Sequence, residues 1–213
     1  MMPTNHRTIQ LLTLGAIIGP ALFLLAWLLL ETIRAGYSPI SQPISALAIG
    51  QNGVYMRIAF LLDGLFTTIG VITVFRGLKN KLSTATLWIC ALLMSLSPLG
   101  LLWAGIFTMN MLVLHTLGAV VACGIPIITF PIVGFKLRRV LGWRSFGTWM
   151  LIVGCLLTLI LLVGFDTSVP VSEMATGGGA YGLWQRVLFI EVQAWYVALA
   201  WLGFRQSYLI TQQ

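Results

Sequence analysis

Long apolar stretches, separated by short polar or charged segments, run through the sequence of 213 residues. The longest uncharged stretch, residues 82–135, contains no Asp, Glu, Lys or Arg. As one helix, with about 1.5 Å of rise per residue, it would be roughly 80 Å long, against a hydrocarbon core of about 30 Å. We therefore predict that it crosses a membrane twice. The predicted turn is at residues 107–111 (FTMNM), because Thr and Asn favour turns.

The remaining apolar stretches predict four further membrane spans. We expect an all-α, polytopic membrane protein that forms a single domain over residues 1–213. The six predicted spans are residues 9–30, 54–75, 86–107, 112–135, 146–165 and 183–204. The first is longer than the apolar part of a signal peptide and is predicted to remain uncleaved. In the fourth, Pro126 and Pro131 each remove a helical hydrogen bond, which predicts a kink.

Composition agrees with this interpretation. Hydrophobic residues make up 59% of the chain and charged residues 8%, and the mean hydropathy is +0.98; about a quarter of an ordinary soluble domain is charged. The net charge of +7 does not indicate nucleic-acid binding, because the basic residues fall between the apolar stretches. All three cysteines lie inside apolar stretches without a Cys-x-x-Cys pair, so neither a metal site nor a cofactor is predicted.

The distribution of Lys and Arg predicts the orientation. Nine of these residues fall on the side of the two termini and three on the other. By the positive-inside rule we expect both termini in the cytoplasm (N-in/C-in), in a prokaryotic cytoplasmic membrane. The nine are Arg7, Arg76, Lys79, Lys81, Lys136, Arg138, Arg139, Arg144 and Arg205, and the three are Arg34, Arg57 and Arg186.

Two loops on the predicted outer side contain residues that limit or loosen the backbone. In residues 34–52, two prolines prevent a continuous helix. Ser45 is predicted to cap a short helical turn whose Leu47 and Ile49 rest on the bilayer interface, as a lid over the bundle. The loop at residues 166–182 contains three consecutive glycines, 177–179, and is predicted to be mobile. Among the aromatic residues at this boundary, Trp27 is predicted to be an interfacial anchor.

Five ionisable residues fall inside predicted spans, all of them on spans 2, 4 and 6. A charge near the bilayer centre costs about 2.5–3.5 kcal/mol and normally faces a partner or a wet cavity. We therefore predict that these spans surround a polar pocket that opens to the outside. The five residues are Arg57, Asp63, His115, Arg186 and Glu191.

The leading functional hypothesis is a membrane protein that binds a lipid headgroup, a small anion or a partner protein in this pocket. Arg57 and Arg186 would supply charge to the ligand, and His115 would be an adjustable donor. Asp63 and Glu191 would orient the arginines. A structural alternative remains open, in which Arg57 and Arg186 only extend to the outer headgroups, or in which Asp63 or Glu191 pairs with either arginine to fix helix packing. Contact with membrane lipids is expected, and a protein partner or homo-oligomer is left open.

Two other functional classes are considered. One is an intramembrane hydrolase in which His115, with Asp63 or Glu191, activates water or a loop serine such as Ser45. The other is a proton-coupled transporter that uses Asp63 and Glu191. The sequence contains no G-x-S-x-G, H-E-x-x-H, P-loop or dinucleotide-binding motif, so a binding role is favoured over an enzymatic one. A metal site would be possible only with His115 and the two carboxylates, because His6 is on the opposite side, and the signal for it is weak, so no metal site is predicted.

Short motifs carry a resemblance to a known family. They are residues 41–53 (SQPISALAIGQNG) in the first loop, Leu114-His115 at the start of the fourth span, and residues 182–186 (GLWQR) at the start of the sixth. In these positions the chain resembles the six-span prokaryotic family catalogued as domain of unknown function 998. The resemblance implies the six-span fold and carries over His115 and Arg186. The family's loop motif often reads Ser-Asp-Leu-Gly, and Ala46 stands here in the place of the aspartate.

Overall fold

Helices make up most of the chain that the computed structural model describes, which is residues 6–163 and 179–211. Six segments are long and apolar enough to cross a membrane, and they agree with the predicted spans to within three residues at every end. They are span 1 (Gln10–Ile33), span 2 (Gly53–Gly77), span 3 (Thr84–Ile106), span 4 (Met109–Leu137), span 5 (Arg144–Val163) and span 6 (Tyr181–Ser207).

The spans are built from nine α-helices within the described residues. They are α1 (His6–Thr13), α2 (Gly15–Ile33), α3 (Gly53–Gly77), α4 (Thr84–Ile106), α5 (Leu112–Cys123), α6 (Pro126–Leu137), α7 (Arg144–Trp149), α8 (Cys155–Val163) and α9 (Tyr181–Thr211). A π-helical turn, Met150–Gly154, joins α7 to α8 inside span 5. Two 3₁₀ turns lie outside the long helices, Ile44–Ala48 in the first loop and Met109–Met111 between spans 3 and 4.

Span 4 is interrupted where its prolines predict a kink. α5 ends at Cys123 and α6 begins at Pro126, so two residues separate the halves. Proline has no N–H to donate within a helix but fits the first turn of a new one, which explains the position of the break. Pro131 is accommodated inside α6.

Small residues bring the central spans close together. A Cβ on Gly64 of span 2 would lie 2.6 Å from the Pro98 carbonyl oxygen of span 3, and one on Gly100 would lie 2.6 Å from the Ala122 nitrogen of span 4. Close backbone approach of this kind is the usual way in which membrane helices pack. The Ser97 hydroxyl adds a hydrogen bond of 2.5 Å to the Ala122 carbonyl oxygen. Span 3 therefore packs closely against both span 2 and span 4, and span 6 packs on spans 1 and 2.

The bundle has two unlike ends. We call the end with residues 34–52 and the turn between spans 3 and 4 the capped end, because the first loop folds over the helices there. The opposite end, with the connections at residues 78–83 and 138–143, is called the cationic end after its lysines and arginines. The prediction of mobility for residues 166–182 falls mostly outside the described residues, which resume at Gly179.

Candidate functional site

Arg186 connects the first loop to the start of α9. Its side chain is buried, and Nη1 donates to three backbone carbonyl oxygens: Pro39 at 2.7 Å, Gln42 at 3.0 Å and Gly182 at 2.9 Å. Two of these acceptors belong to the loop and one to α9 itself. The planar guanidinium presents several N–H groups in fixed directions, so it can hold several carbonyls at once.

The second terminal nitrogen of Arg186 binds two side chains. Nη2 donates to Glu31 Oε2 at 3.0 Å and to the Tyr37 hydroxyl oxygen at 2.6 Å. Glu31 lies in the last turn of span 1, so this salt bridge joins spans 1 and 6 at the capped end. The guanidinium also lies 5.6 Å from the Trp27 ring centre and 5.7 Å from the Tyr37 ring centre. The terminal N–H groups are thus occupied by the protein. An ion pair of Arg186 that links helices agrees with the structural alternative, but its partner, Glu31, was not the predicted one.

Tyr37 completes this cluster from the loop. Its hydroxyl donates to the carbonyl oxygens of Pro43 (2.9 Å) and Gln42 (3.2 Å) while it accepts from Arg186. Burial raises the pKa of Tyr37, and the hydrogen bond from Arg186 opposes that rise only in part. The neutral, donating form of the phenol is therefore the one that the fold stabilises. We call Glu31, Tyr37 and Arg186 the loop clamp.

The 3₁₀ turn of the loop is inserted into the bundle rather than laid on its surface. Residues 43–48 are all buried, and Leu47 is 2% exposed. The Ile44 N–H donates to Gln185 Oε1 at 2.7 Å, and Arg34 Nη1 donates to the carbonyl oxygens of Ala46 and, at 2.9 Å, of Ile49. The prediction that Leu47 rests on the bilayer interface is therefore wrong, because Leu47 is part of a buried hydrophobic cluster. That cluster also contains Phe23, Phe60 and Phe189.

Two further loop-side predictions need correction. Pro43 is the N-cap residue of the 3₁₀ turn and Ser45 lies inside the turn, so Ser45 does not cap it. Its hydroxyl points to the Met109 sulfur at 3.2 Å. Trp27 is 3% exposed and packs edge-on against Phe23 and Phe189, so it is a core residue and not an interfacial anchor.

A cavity of about 250 Å³ lies between span 4, the start of span 6 and the buried loop turn. We call it the groove. Its wall is mainly apolar and carries polar side chains from three different elements. The apolar side chains include Leu112, Ala119, Val120, Leu162 and Leu188, and the polar ones are Ser45, His115, Thr116, Tyr181 and Gln185. No Lys, Arg, Asp or Glu side chain lines it among the described residues.

The groove continues inward. A smaller cavity of about 30 Å³ shares Ser45, His115 and Gln185 with it and reaches the aromatic residues under the loop. Because the same three polar side chains line both cavities, they mark the boundary between the groove and the interior of the bundle.

His115 is held by the end of span 3. Its Nδ1 lies 2.8 Å from the Phe107 carbonyl oxygen and 3.2 Å from that of Ala104. Carbonyl oxygens only accept, so Nδ1 carries the hydrogen and, in the neutral ring, Nε2 is the free acceptor. These carbonyls belong to the last turn of α4 and to its C-cap residue, where helix carbonyls lack partners within the helix. Trp103 Nε1 makes a second link, to the Leu114 carbonyl oxygen at 2.9 Å.

The two intramembrane carboxylates lie in separate polar contacts. Asp63 accepts from the Thr67 hydroxyl at 2.8 Å and from Gln193 Nε2 at 2.5 Å, which links spans 2 and 6. Glu191 accepts from the Thr158 hydroxyl at 3.0 Å, which links spans 5 and 6, and from Trp195 Nε1 at 2.7 Å. Both carboxylates satisfy their oxygens with neutral donors, as buried polar groups require.

In the described part of the chain, the hydrogen bonds and the ion pair of the five predicted residues do not join any two of them. Arg57 is exposed on span 2, and Arg186 pairs with Glu31 instead of with Asp63 or Glu191. His115 is bonded to backbone carbonyls and not to a carboxylate. The physical reason is that hydrocarbon penalises an unpaired polar group, but threonine, glutamine and carbonyl partners relieve that penalty as well as an ion pair does.

Sequence reasoning missed Glu31, Tyr37 and Gln185. Glu31 had a usable signal, since it is an acid at the end of span 1, on the same side as Arg186. Gln185 lies in the motif at residues 182–186, but no role was predicted for it, and Tyr37 had no signal, because both roles depend on how the loop turns inward. Among the described residues, no group of three or more His, Cys, Asp or Glu side chains converges in a way that could hold a metal ion.

Comparison with known proteins gives one match. No curated protein and no solved structure is significantly similar to this chain. A family model described as "Protein of unknown function (DUF998)" matches residues 17–202, which include all of spans 2 to 5, most of spans 1 and 6, and the residues of the clamp and the groove. The chain therefore belongs to the DUF998 family of multi-span membrane proteins.

Proposed function

We propose that this protein binds an amphiphilic lipid molecule in the groove, without chemical conversion of it. The observation that carries the proposal is a mainly apolar cavity whose polar side chains gather at its inner boundary. A hydrocarbon chain fits the apolar wall, and an uncharged hydrogen-bonding group fits His115, Ser45 and Gln185. Since no charged side chain lines the groove among the described residues, a neutral polar group is favoured there over a small anion.

The size of the groove supports binding of part of a lipid. Pockets for whole drug-sized ligands are usually about 300–1,000 Å³, and the groove is about 250 Å³. A lipid would place one portion in the groove and leave the rest in the bilayer. Lining residues such as Val120 are exposed on the outside of the bundle, next to the lipid phase.

The loop clamp has a place in this proposal. Pro43 and Ser45 form one wall of the groove, and the loop that carries them is held by Arg186. Arg186 is thus a positioning residue, not a ligand contact. We further propose that the capped end faces the outside of a prokaryotic cytoplasmic membrane, since nine of the twelve Lys and Arg residues belong to the side of the termini.

A steric block tests the groove. Thr116 lines it from α5, whereas Val113, one turn earlier, is 83% exposed and does not line it. Thr116→Phe should fill the groove, and Val113→Phe is the matched control. The proteins are purified in dodecyl maltoside, washed to remove loosely bound lipid and examined by native mass spectrometry.

We expect wild type and Val113→Phe to retain a bound lipid and Thr116→Phe to lose it. Added dioleoylglycerol, a lipid whose polar group is an uncharged hydroxyl, should restore the adduct to stripped wild-type protein but not to Thr116→Phe. If Thr116→Phe retains as much lipid as wild type, or if stripped wild-type protein takes none up, the proposal is wrong.

A second candidate function rests on the shared lining of the groove by Ser45 and His115. The Nδ1–H of His115 is held by carbonyls, which leaves Nε2 unprotonated and suited to act as a base toward a serine or a water molecule. A fluorophosphonate probe, which reacts with activated serines, tests this. A hydrolase would be labelled at Ser45, and the label would disappear in His115→Gln but persist in Ser38→Ala. An unlabelled wild type would exclude an activated Ser45.

A further inference from the structure

We propose that the cationic end binds the phosphate headgroup of an anionic phospholipid. The site is an open cavity of about 670 Å³ between the end of α6 and the start of α7. Its cationic lining is Arg138, Arg139 and Arg144. This site is at the opposite end from the groove and does not depend on the function proposed for it.

The charge at this cavity is uncompensated. All three arginines are exposed, and the salt bridge found among the described residues is at the capped end, between Arg186 and Glu31. Asp63 and Glu191 are bonded to neutral partners within the spans. Guanidinium groups bind phosphate oxygens through paired N–H donors, so three of them around one cavity favour a phosphate ester.

Two of the arginines are held beside one ring. Arg138 lies 4.8 Å and Arg139 4.4 Å from the centre of the Phe135 ring. Stacking on an aromatic face restricts a guanidinium without using its N–H groups. Both arginines therefore keep their donors for a ligand.

The turn that carries the arginines has a fixed shape. Trp143 is 1% exposed, and Val140 is buried beside it in the core. Gly142 adopts a φ of 83°, which favours glycine, and its carbonyl oxygen accepts from Gln206 Nε2 of α9 at 2.7 Å. A rigid turn lowers the ordering cost of binding, so the three arginines are already near their binding positions.

The depth of the cavity identifies the source of the phosphate. Span 4 ends at Leu137 and span 5 begins at Arg144. The cavity between them therefore lies at the level of the headgroups. Leu141 is 90% exposed in the turn and Trp149 is 60% exposed on α7. An exposed leucine and tryptophan next to arginines are typical of the membrane interface, where apolar and polar surroundings meet. This favours a lipid headgroup over free phosphate.

Titration with short-chain lipids tests the site. Dioctanoyl phosphatidylglycerol, dioctanoyl phosphatidylcholine and inorganic phosphate are each added to the full-length protein in detergent, and tryptophan fluorescence reports binding. The variant is Arg138→Gln/Arg144→Gln. The matched control is Arg76→Gln/Lys79→Gln, which removes the same charge from two exposed positions at the same end, in the last turn of α3 and just after it.

We expect phosphatidylglycerol to bind, with an affinity about five-fold weaker for each arginine removed and thus roughly 25-fold weaker for the pair. The control pair should show no comparable loss. Equal weakening by both pairs would show general charge attraction and overturn the site. Binding of inorganic phosphate as tight as that of phosphatidylglycerol would overturn the assignment to a headgroup. Should Arg138→Gln/Arg144→Gln fail to fold, Arg139→Gln alone must show the five-fold loss, and a normal affinity would refute the proposal.

Discussion

At the scale of single residues, the most informative position is Arg186. Its terminal nitrogens bind three carbonyls, one carboxylate and one phenol, drawn from spans 1 and 6 and the loop between spans 1 and 2. Removal of one partner from a buried ion pair leaves the other charge uncompensated, which is more costly than the loss of the contact itself. The clamp should therefore dominate the local stability of the capped end.

Arg186→Ala should lower the free energy of unfolding by about 3–5 kcal/mol, because Glu31 and the loop carbonyls lose their donor. The matched control is Arg57→Ala, an exposed arginine equally near the capped end of its span, for which a change within about 0.5 kcal/mol is expected. Thermal and denaturant unfolding in detergent compare the two. A similar loss for both variants would contradict a specific clamp.

Tyr37 gives the clamp a pH dependence. Its pKa in the folded protein is raised above the ordinary tyrosine value of about 10, chiefly by burial. The stability from its neutral form is therefore complete below about pH 10 and is lost as the pH rises through the raised pKa. We expect alkaline unfolding of wild type that is weaker in Tyr37→Phe. Tyr55→Phe, at an exposed tyrosine, should unfold like wild type, and identical alkaline profiles for all three would exclude Tyr37 as the group responsible.

Four of the five ionisable residues predicted inside the bundle are buried, but their partners were not predicted, and Arg57 is exposed. Arg186 was expected to face a partner, because hydrocarbon disfavours a lone arginine. Its position made Glu31 a candidate partner, but nothing in the sequence favours it over Asp63 or Glu191. The choice depends on the inward turn of the loop, which brings Tyr37 and two carbonyls beside the arginine.

At the scale of elements, the contact between the first loop and α9 depends on Gly182, which has no side chain. A Cβ on Gly182 would lie 2.2 Å from the Gln42 carbonyl oxygen and 2.7 Å from that of Pro39. The Leu183 N–H donates to the Ile40 carbonyl oxygen at 2.9 Å, so loop and helix meet backbone to backbone. Any substituent at this position must push the loop away from the helix.

Gly182→Ala should destabilise the protein by about 1–3 kcal/mol, as overpacking does in a close contact. Gly77→Ala is the matched control, since a Cβ there would meet no atom within 4 Å. Hydrogen exchange should increase across residues 37–49 in Gly182→Ala and remain at the wild-type level in Gly77→Ala. Unchanged exchange in both would mean that the loop does not rely on this contact.

Helix boundaries were predictable where a residue type enforces them. Pro126 starts a new helix, and the turn between spans 3 and 4 occurs at the predicted Thr and Asn. The π-helical turn Met150–Gly154 had no such signal, because residues 145–165 are uncharged and contain no proline. Periodicity and length predict that a helix exists but not its local winding. At Gly154, the last residue of this turn, a Cβ would lie 3.2 Å from both Phe130 and Trp195.

At the scale of the whole molecule, the two ends differ in chemistry. The capped end is closed by a buried loop and a salt bridge, whereas the cationic end exposes arginines and lysines from two connections. The six spans themselves followed from hydrophobic length alone. How their polar groups pair did not, because neutral hydrogen bonds and ion pairs satisfy the same requirement.

The proposed orientation predicts which connections are accessible from outside a cell. In a variant with Cys90, Cys123 and Cys155 replaced by alanine, Gln51→Cys should react with a membrane-impermeant maleimide on intact cells. Asn80→Cys should react only after the membrane is opened. Both positions are exposed in the structure, so a difference reports sidedness. The reverse pattern would invert the proposed orientation.

The position of the clamp also sets an order for biogenesis. Glu31 and Tyr37 leave the ribosome long before Arg186, about 150 residues later, and a nascent chain inserts from its N-terminus. Until span 6 is inserted, the carboxylate of Glu31 and the loop carbonyls lack the guanidinium donor of Arg186. A chain that lacks its sixth crossing would therefore have an unanchored first loop, and completion of that crossing would anchor it.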